Sequence, residues 1–316
     1  MCYSITSVFV EQNKTHSEFS NADSWVILSE IEQSIKRKIE AIGTPLKDWD
    51  IQINYGIKTG LNDAFIITTE KRNEILSNCR SDEERSRTEE IIRPILRGRD
   101  IKRYSYDWGG LYLVWVPWHF PLHLDNTIQG ASEVAEKTFQ IQYPSVYQHL
   151  LQYKPQLAAR NKAETGIRYE WYALQRWGAN YWEDFQKPKI MYPNMTKYIP
   201  FYFDTKGFYQ NDKSFMITGR SLAFLAAFLN SSLFKFCFLN NFPELQGGTR
   251  ELRKIFFDKI PVKQVSKDVD NKYYDLVCNM QQNPNKQLAI EIDNLIFSEY
   301  GLTEEERKII GFIEIL

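Results

Sequence analysis

DIQINYGIKTGLNDAFIIT, residues 50–68, is the stretch on which the fold reading turns. Ile51 and Ile53 alternate with polar residues, which is the period of a half-buried strand. Gly56 and Gly60 interrupt the run, and Phe65, Ile66 and Ile67 resume it. The pattern predicts two strands joined by a Gly/Asn loop. Upstream, Leu28, Ile31, Ile35, Ile39 and Ile42 repeat at three and four, predicting an amphipathic helix over 24–42 that ends at Gly43 and Pro45. Downstream, Ser81 and Glu84 have the spacing of a capping box, opening a short charged helix that stops near Pro94.

From 100 to 215 the pattern is short aromatic strands, GLYLVWVPW (110–118), KIMYP (189–193) and FYFDTKGFYQND (201–212). A helical stretch, PSVYQHLLQYKPQLAAR (144–160), lies between them. After Gly219 the chain reads as helical: Leu222 to Leu239, a short ELRKIFF segment, Ile260-Pro261-Val262, then two acidic helices, the last capped by Thr303 and Glu306. The predicted class is α+β. The predicted division is an N-terminal helix and linker (1–45), a β-rich domain (46–218) and a helical C-terminal region (219–316).

Composition sets bounds on what such a chain does. With 316 residues and 43% hydrophobic residues it has material for one large core or two medium ones, and it is not a disordered chain. Lys and Arg number 39 against 40 Asp and Glu, which excludes a uniformly basic binder but not a local basic face. Cys2, Cys79, Cys237 and Cys278 are scattered, as free thiols of a reducing compartment are, and MCYSITSVFVEQNK does not read as a signal peptide. The expected location is the cytoplasm. SLAFLAAFLNSSLFKFCFL (221–239) approaches the length of a membrane span, yet Asn230, Ser231, Ser232 and Lys235 interrupt it, so a buried helix is the better reading.

The near-neutral total hides a basic middle and an acidic tail. RPILRGRDIKRY (93–104) has five basic groups against one acid. Residues 154–176 have five against two, and 289–316 have seven acids against two bases. No glycine-rich phosphate loop, nucleophile elbow or zinc spacing is present. His119 and His123 are four apart, but Pro117 and Pro121 bracket them and break any helix there. No proline precedes an Asp, so a Pro-Asp…Glu-x-Lys nuclease lacks its first element. Glu183, Asp184, Lys187 and Lys189 imitate only the second. No catalytic constellation is found.

Basic and aromatic residues do interleave. Tyr104, Tyr106 and Trp108 follow RGRDIKR, and ARNKAETGIRYEWYALQRW (159–177) alternates Arg160, Arg168 and Arg176 with Tyr169, Trp171, Tyr172 and Trp177. Guanidinium forks bind phosphate and read guanine edges, while aromatics pack on sugars or an extruded base. Core packing accounts for at least half of the aromatics on the alternative reading, and Asp100 paired with Arg97 or Arg103 merely holds its loop.

In order along the chain, GIKTGLNDAFIIT, IIRPILRGRDIKRY, YPSVYQHLLQYKPQLAAR, WYAL, KPKIMYP, LAFLAAFLNSSLFKF and EIDNLIFSEYGLTEEE resemble the C-terminal specificity region of TaqI-like adenine-specific DNA methyltransferases. Such regions also occur in single-chain restriction-modification enzymes. The resemblance runs from about residue 45 to 310. It implies recognition of a double-stranded DNA target for an adenine-N6 methyltransferase, fused or not to an endonuclease. S-adenosylmethionine would be bound by a catalytic domain on the same polypeptide or a separate subunit. That half carries an Asn-Pro-Pro-Tyr/Phe motif, whereas the single Asn-Pro here, Asn283-Pro284, continues to Asn285. The abrupt start favours a fragment of a longer enzyme, and no cofactor or catalytic residue is expected in this chain.

By resemblance, the GIKTGLND loop and RGRDIKRY segment lie near DNA. The residues assigned to contacts are Lys58, Thr59, Asn62, Arg97, Arg99, Lys102 and Arg103, with Arg160, Arg168 and Arg176 extending the groove. Leu288, Ile292, Leu295 and Ile296 form an apolar stripe on acidic helices, which phosphate would repel. Two rival readings stay open: a metal-dependent nuclease subunit using Glu183, Asp184, Lys187 and Lys189, and a subunit that binds only protein.

Overall fold

The computed structural model of the chain describes residues 28–313. Cys2, the N-terminal stretch read as carrying no signal and residues 24–27 of the first predicted helix lie outside those residues. The class is α+β. In chain order the main helices are α1 (Glu30–Ile42), α2 (Thr69–Ser77), α3 (Asp82–Ile91), α4 (Glu133–Gln142), α5 (Pro144–Leu151), α6 (Lys154–Ala159), α7 (Leu222–Leu229), α8 (Ser232–Phe238), α9 (Lys267–Gln282), α10 (Lys286–Glu299) and α11 (Glu304–Ile310). The main strands are β1 (Ile51–Tyr55), β2 (Ile66–Thr68), β3 (Ile92–Leu96), β4 (Leu111–Val114), β5 (Lys189–Pro193), β6 (Tyr202–Asp204), β7 (Tyr209–Gln210) and β8 (Ser214–Gly219).

Two four-stranded sheets organise these elements. One has the order β6-β5-β8-β1 and is antiparallel throughout. The other has the order β7-β3-β4-β2, with β7 parallel to β3. The predicted strand pair around the Gly/Asn loop is therefore not a hairpin. β1 hydrogen-bonds β8, β2 hydrogen-bonds β4, and a single helical turn, Asn62–Phe65, stands between them. Local spacing announces both strands, but their partners come from remote sequence.

The first sheet has no solvent face along its central strands. On β8, Phe215 and Ile217 enter one apolar cluster and Met216 a second. On β5, Ile190 and Tyr192 join the first cluster, while Met191 enters a small third one with Leu96, Ile101, Tyr202 and Phe208. Two-sided burial explains why KIMYP and SFMITG lack polar alternation. The first cluster also takes Ile35 and Ile39 of α1, all of α7 and much of α8 to α10. The second collects residues from Ile57 to Phe185, together with Tyr209 and Met216. Apart from Tyr104, which packs in the first cluster, the chain leaves the first core just after β1, builds the second, and returns at β5.

Apolar residues surround α7 on every side, as expected of a helix with no polar face. The stretch then breaks at Asn230-Ser231, where Ser231 caps α8 by accepting from Phe234 N. No helix among the described residues is long and apolar enough to cross a membrane. Three helices, not two, close the chain, and Thr303 and Glu306 of α11 form the full reciprocal box. The box at Ser81 is half made. Ser81 accepts from Glu84 N, but the Glu84 carboxylate turns to Arg80 N and Ser145 N instead. Of the acidic-helix stripe, Leu288, Ile292 and Ile296 are buried, whereas Leu295 faces solvent.

Candidate nucleic-acid interface

The turn after β1 is stitched to neighbours on both sides. Ile57 N donates to Gln210 O and Asp212 N to Ile57 O, while Lys58 and Arg176 exchange backbone hydrogen bonds of 3.0 and 2.9 Å. Gly56 makes the close approach possible, since a Cβ there would lie 2.0 Å from the carbonyl oxygen of Asn211. The 97–100 loop docks on the same support. Asn211 Oδ1 accepts from Gly98 N and Lys213 N at 3.2 and 3.3 Å. GIKTG, RGRD, the 210–214 turn and Arg176 therefore meet at one place.

At this junction Lys58 and Arg99 are exposed, and neither ammonium nor guanidinium has a partner among the described residues. Lys213 is exposed and only 3.9 Å from Asp212. Lys102 donates to the carbonyl of Arg99 and stands 3.9 Å from Asp107. Arg97 forms a two-pronged fork with the buried Asp100 carboxylate, both bonds 2.8 Å, and that hydrogen-bonded carboxylate raises its guanidinium pKa. Of the two pairings open from sequence for Asp100, the Arg97 pair is the one formed.

The remaining predicted residues turn elsewhere. Thr59 is buried and donates its hydroxyl to Asn62 Oδ1 at 2.7 Å, so it shapes the turn. Asn62 stays exposed, its amide nitrogen unpartnered among the described residues. Arg160 points inward. Its guanidinium donates to the carbonyls of Thr59, Trp171 and Ala173 between the rings of Phe65 and Tyr169, and burial brings its pKa down to about 10. Arg103 donates twice to Asn230 O, at 3.1 and 2.7 Å, on the side of the helical region. Arg168 and Arg176 share Glu164, and the Arg176 hydrogen bond holds that carboxyl below its ordinary range.

Sequence reasoning missed Lys213 and Tyr55. Tyr55 ends β1 with 60% of its surface exposed and its ring 4.4 Å from that of Phe215. The sequence pattern runs FYFDTKGFYQND on as a strand to 212, and nothing local places the 210–214 turn against GIKTG. The Glu183, Asp184, Lys187 and Lys189 group does not assemble. Lys189 is fully buried and salt-bridged to Asp204 at 2.6 Å, while Lys187 pairs with Asp184. Among the described residues no cluster of His, Cys, Asp and Glu is suited to hold a metal.

The TaqI-like C-terminal specificity domain matches residues 93–262 of this sequence. The chain belongs to that family. The matched TaqI-like region begins at Arg93 and includes the RGRD loop, the 210–214 turn and all of α7 and α8. No curated protein matches the chain. Among solved structures, the chain is similar to the Type IIL restriction-modification enzyme MmeI in complex with DNA, with 13% identity and a TM-score of 0.48 over 81% of this chain. It is also similar to the type IIG restriction endonuclease BpuSI, with 11% identity and a TM-score of 0.47 over 85% of this chain. The chain spans 33% of the length of each.

Proposed function

We propose that this chain recognises a double-stranded DNA target for a restriction-modification enzyme. The observation that carries the proposal is the convergence of three loops that leaves Lys58 and Arg99 without counter-charges among the described residues, beside the weakly paired Lys213. Free cations on rigid turns suit phosphate contacts, which fix register on a duplex. Lys102 and the Arg97 fork extend the basic edge, while Arg160, Arg103 and Thr59 hold the turns in place. Membership of a specificity-domain family supports the reading.

The chemistry belongs to an attached domain, on the same polypeptide or a separate subunit, that binds S-adenosylmethionine and methylates adenine at N6, with or without an endonuclease. In this chain Asn283-Pro284-Asn285 forms the α9–α10 junction, with Asn285 capping α10. Binding titrations against salt test the reading. With about four phosphate contacts, the log–log slope of affinity against salt is roughly −3 to −4, and Arg99→Ala and Lys213→Ala each lower its magnitude by about 1. Absence of duplex binding at low salt would overturn the proposal.

A further inference from the structure

A finger rises beside the basic junction. Met195–Thr196 pairs antiparallel with Arg250–Glu251, and residues 244–249 close the end, with Leu245 N donating to Thr249 O. Its stem is firm. Phe242, Ile199 and Leu252 are buried in the first core, and Arg250 donates to Phe242 O and to the Glu244 carboxylate. The stem is tied to the basic junction through Asn194, which accepts from Leu252 N and donates its own N–H to Lys213 O at 2.9 Å.

The end of this finger carries exposed apolar residues beside polar ones. Met195, Tyr198 and Leu245 are 53%, 68% and 41% exposed, an apolar group that water disfavours. Gln246 is exposed beside them, and Lys197 is exposed with no partner among the described residues. Gly247 and Gly248 both have left-handed φ, 75° and 77°, so the turn carries no side chain at the two positions where the backbone bends.

Resting on the DNA reading above, we infer that this finger enters a groove of the duplex and reads bases, while the junction holds phosphates. Gln246 and Tyr198 supply hydrogen bonds to base edges, Met195 and Leu245 pack on bases or a thymine methyl, and Lys197 meets the flanking phosphate. The bare glycine turn lets the backbone approach closely. A protein partner would fit the apolar residues equally well. The uncompensated Lys197 and the direct link to Lys213 favour the polyanion.

The test uses the full chain and duplexes selected from a randomised library at about 0.15 M salt. Gln246→Ala and Tyr198→Ala, both exposed, are expected to keep the wild-type urea midpoint, affinity for scrambled duplex and salt slope. Each should bind the selected site roughly 5- to 100-fold more weakly and relax preference at one or two base positions. If both variants retain the wild-type motif and affinity, the finger does not read DNA and the phosphate-holding junction stands alone; a seat for a partner protein predicts that result. If wild type binds duplex without selecting any motif, the base-reading inference falls and the DNA reading survives. If wild type binds no duplex at all, both fall.

Discussion

Arg160 donates to three main-chain carbonyls from beneath the 58–62 turn, whereas the guanidinium of Arg99, in a basic run of similar appearance, is exposed and has no partner among the described residues. Sequence shows both as arginines near aromatics and gives no way to separate them, because the carbonyls that Arg160 binds come from two distant segments. Replacing Arg160 with Lys keeps the charge but not the fork, leaving carbonyls of the buried residues Thr59, Trp171 and Ala173 short of donors. The expected loss is about 2–3 kcal/mol in urea unfolding. Arg99→Ala should move the same midpoint by less than about 0.5 kcal/mol, with its effect confined to DNA affinity. Burial also lifts the Cys237 thiol to about 12, so it should resist alkylation by iodoacetamide at pH 8 until the chain is unfolded.

At the scale of elements, capping and periodicity were legible and pairing was not. The end of α1 at Gly43 and the box of α11 are local chemistry, written within four residues. The sheet partners of β1 and β2 are not, since each strand hydrogen-bonds a neighbour far away in the sequence. The candidate site shares this property: Lys58 and Arg99 were visible as basic residues, but the Asn211 support that brings their loops together was invisible. Gly56→Ala should therefore cost more than an ordinary turn substitution, roughly 2 kcal/mol or more, because the new methyl must displace the Asn211 backbone. The junction between α7 and α8 makes a parallel case. Asn230 bonds both the N–H and the carbonyl of buried Phe201, so Asn230→Ala should destabilise by about 2–3 kcal/mol, measured by thermal or urea unfolding.

For the whole molecule, acid is the relevant stress. His149 is buried against the carbonyl of Ala64, and burial lowers its pKa; His123 is lowered for the same reason. The unfolded chain therefore takes up protons near pH 6.5 that the folded one refuses, and stability falls as pH drops below about 6.5. Urea midpoints at pH 7 and pH 5 should show this fall. His149→Gln, which retains an N–H donor and does not titrate, should make it shallower, and an equal fall in that variant would assign the effect to other groups.

The interleaving of the two cores also bears on birth at the ribosome. All of the second cluster except Tyr209 and Met216 has emerged by Phe185, whereas α1 and β1 still lack β8 and the helices that cover them. A growing chain thus displays the apolar face of an amphipathic helix and an unpaired strand for the time taken to synthesise the rest, the interval in which strands aggregate and chaperones bind. α1 is the segment most in need of such protection. Its late partners include Gly301 and Glu306, which accept from Lys38 and Ser34, so the last helices serve the first one by arriving late.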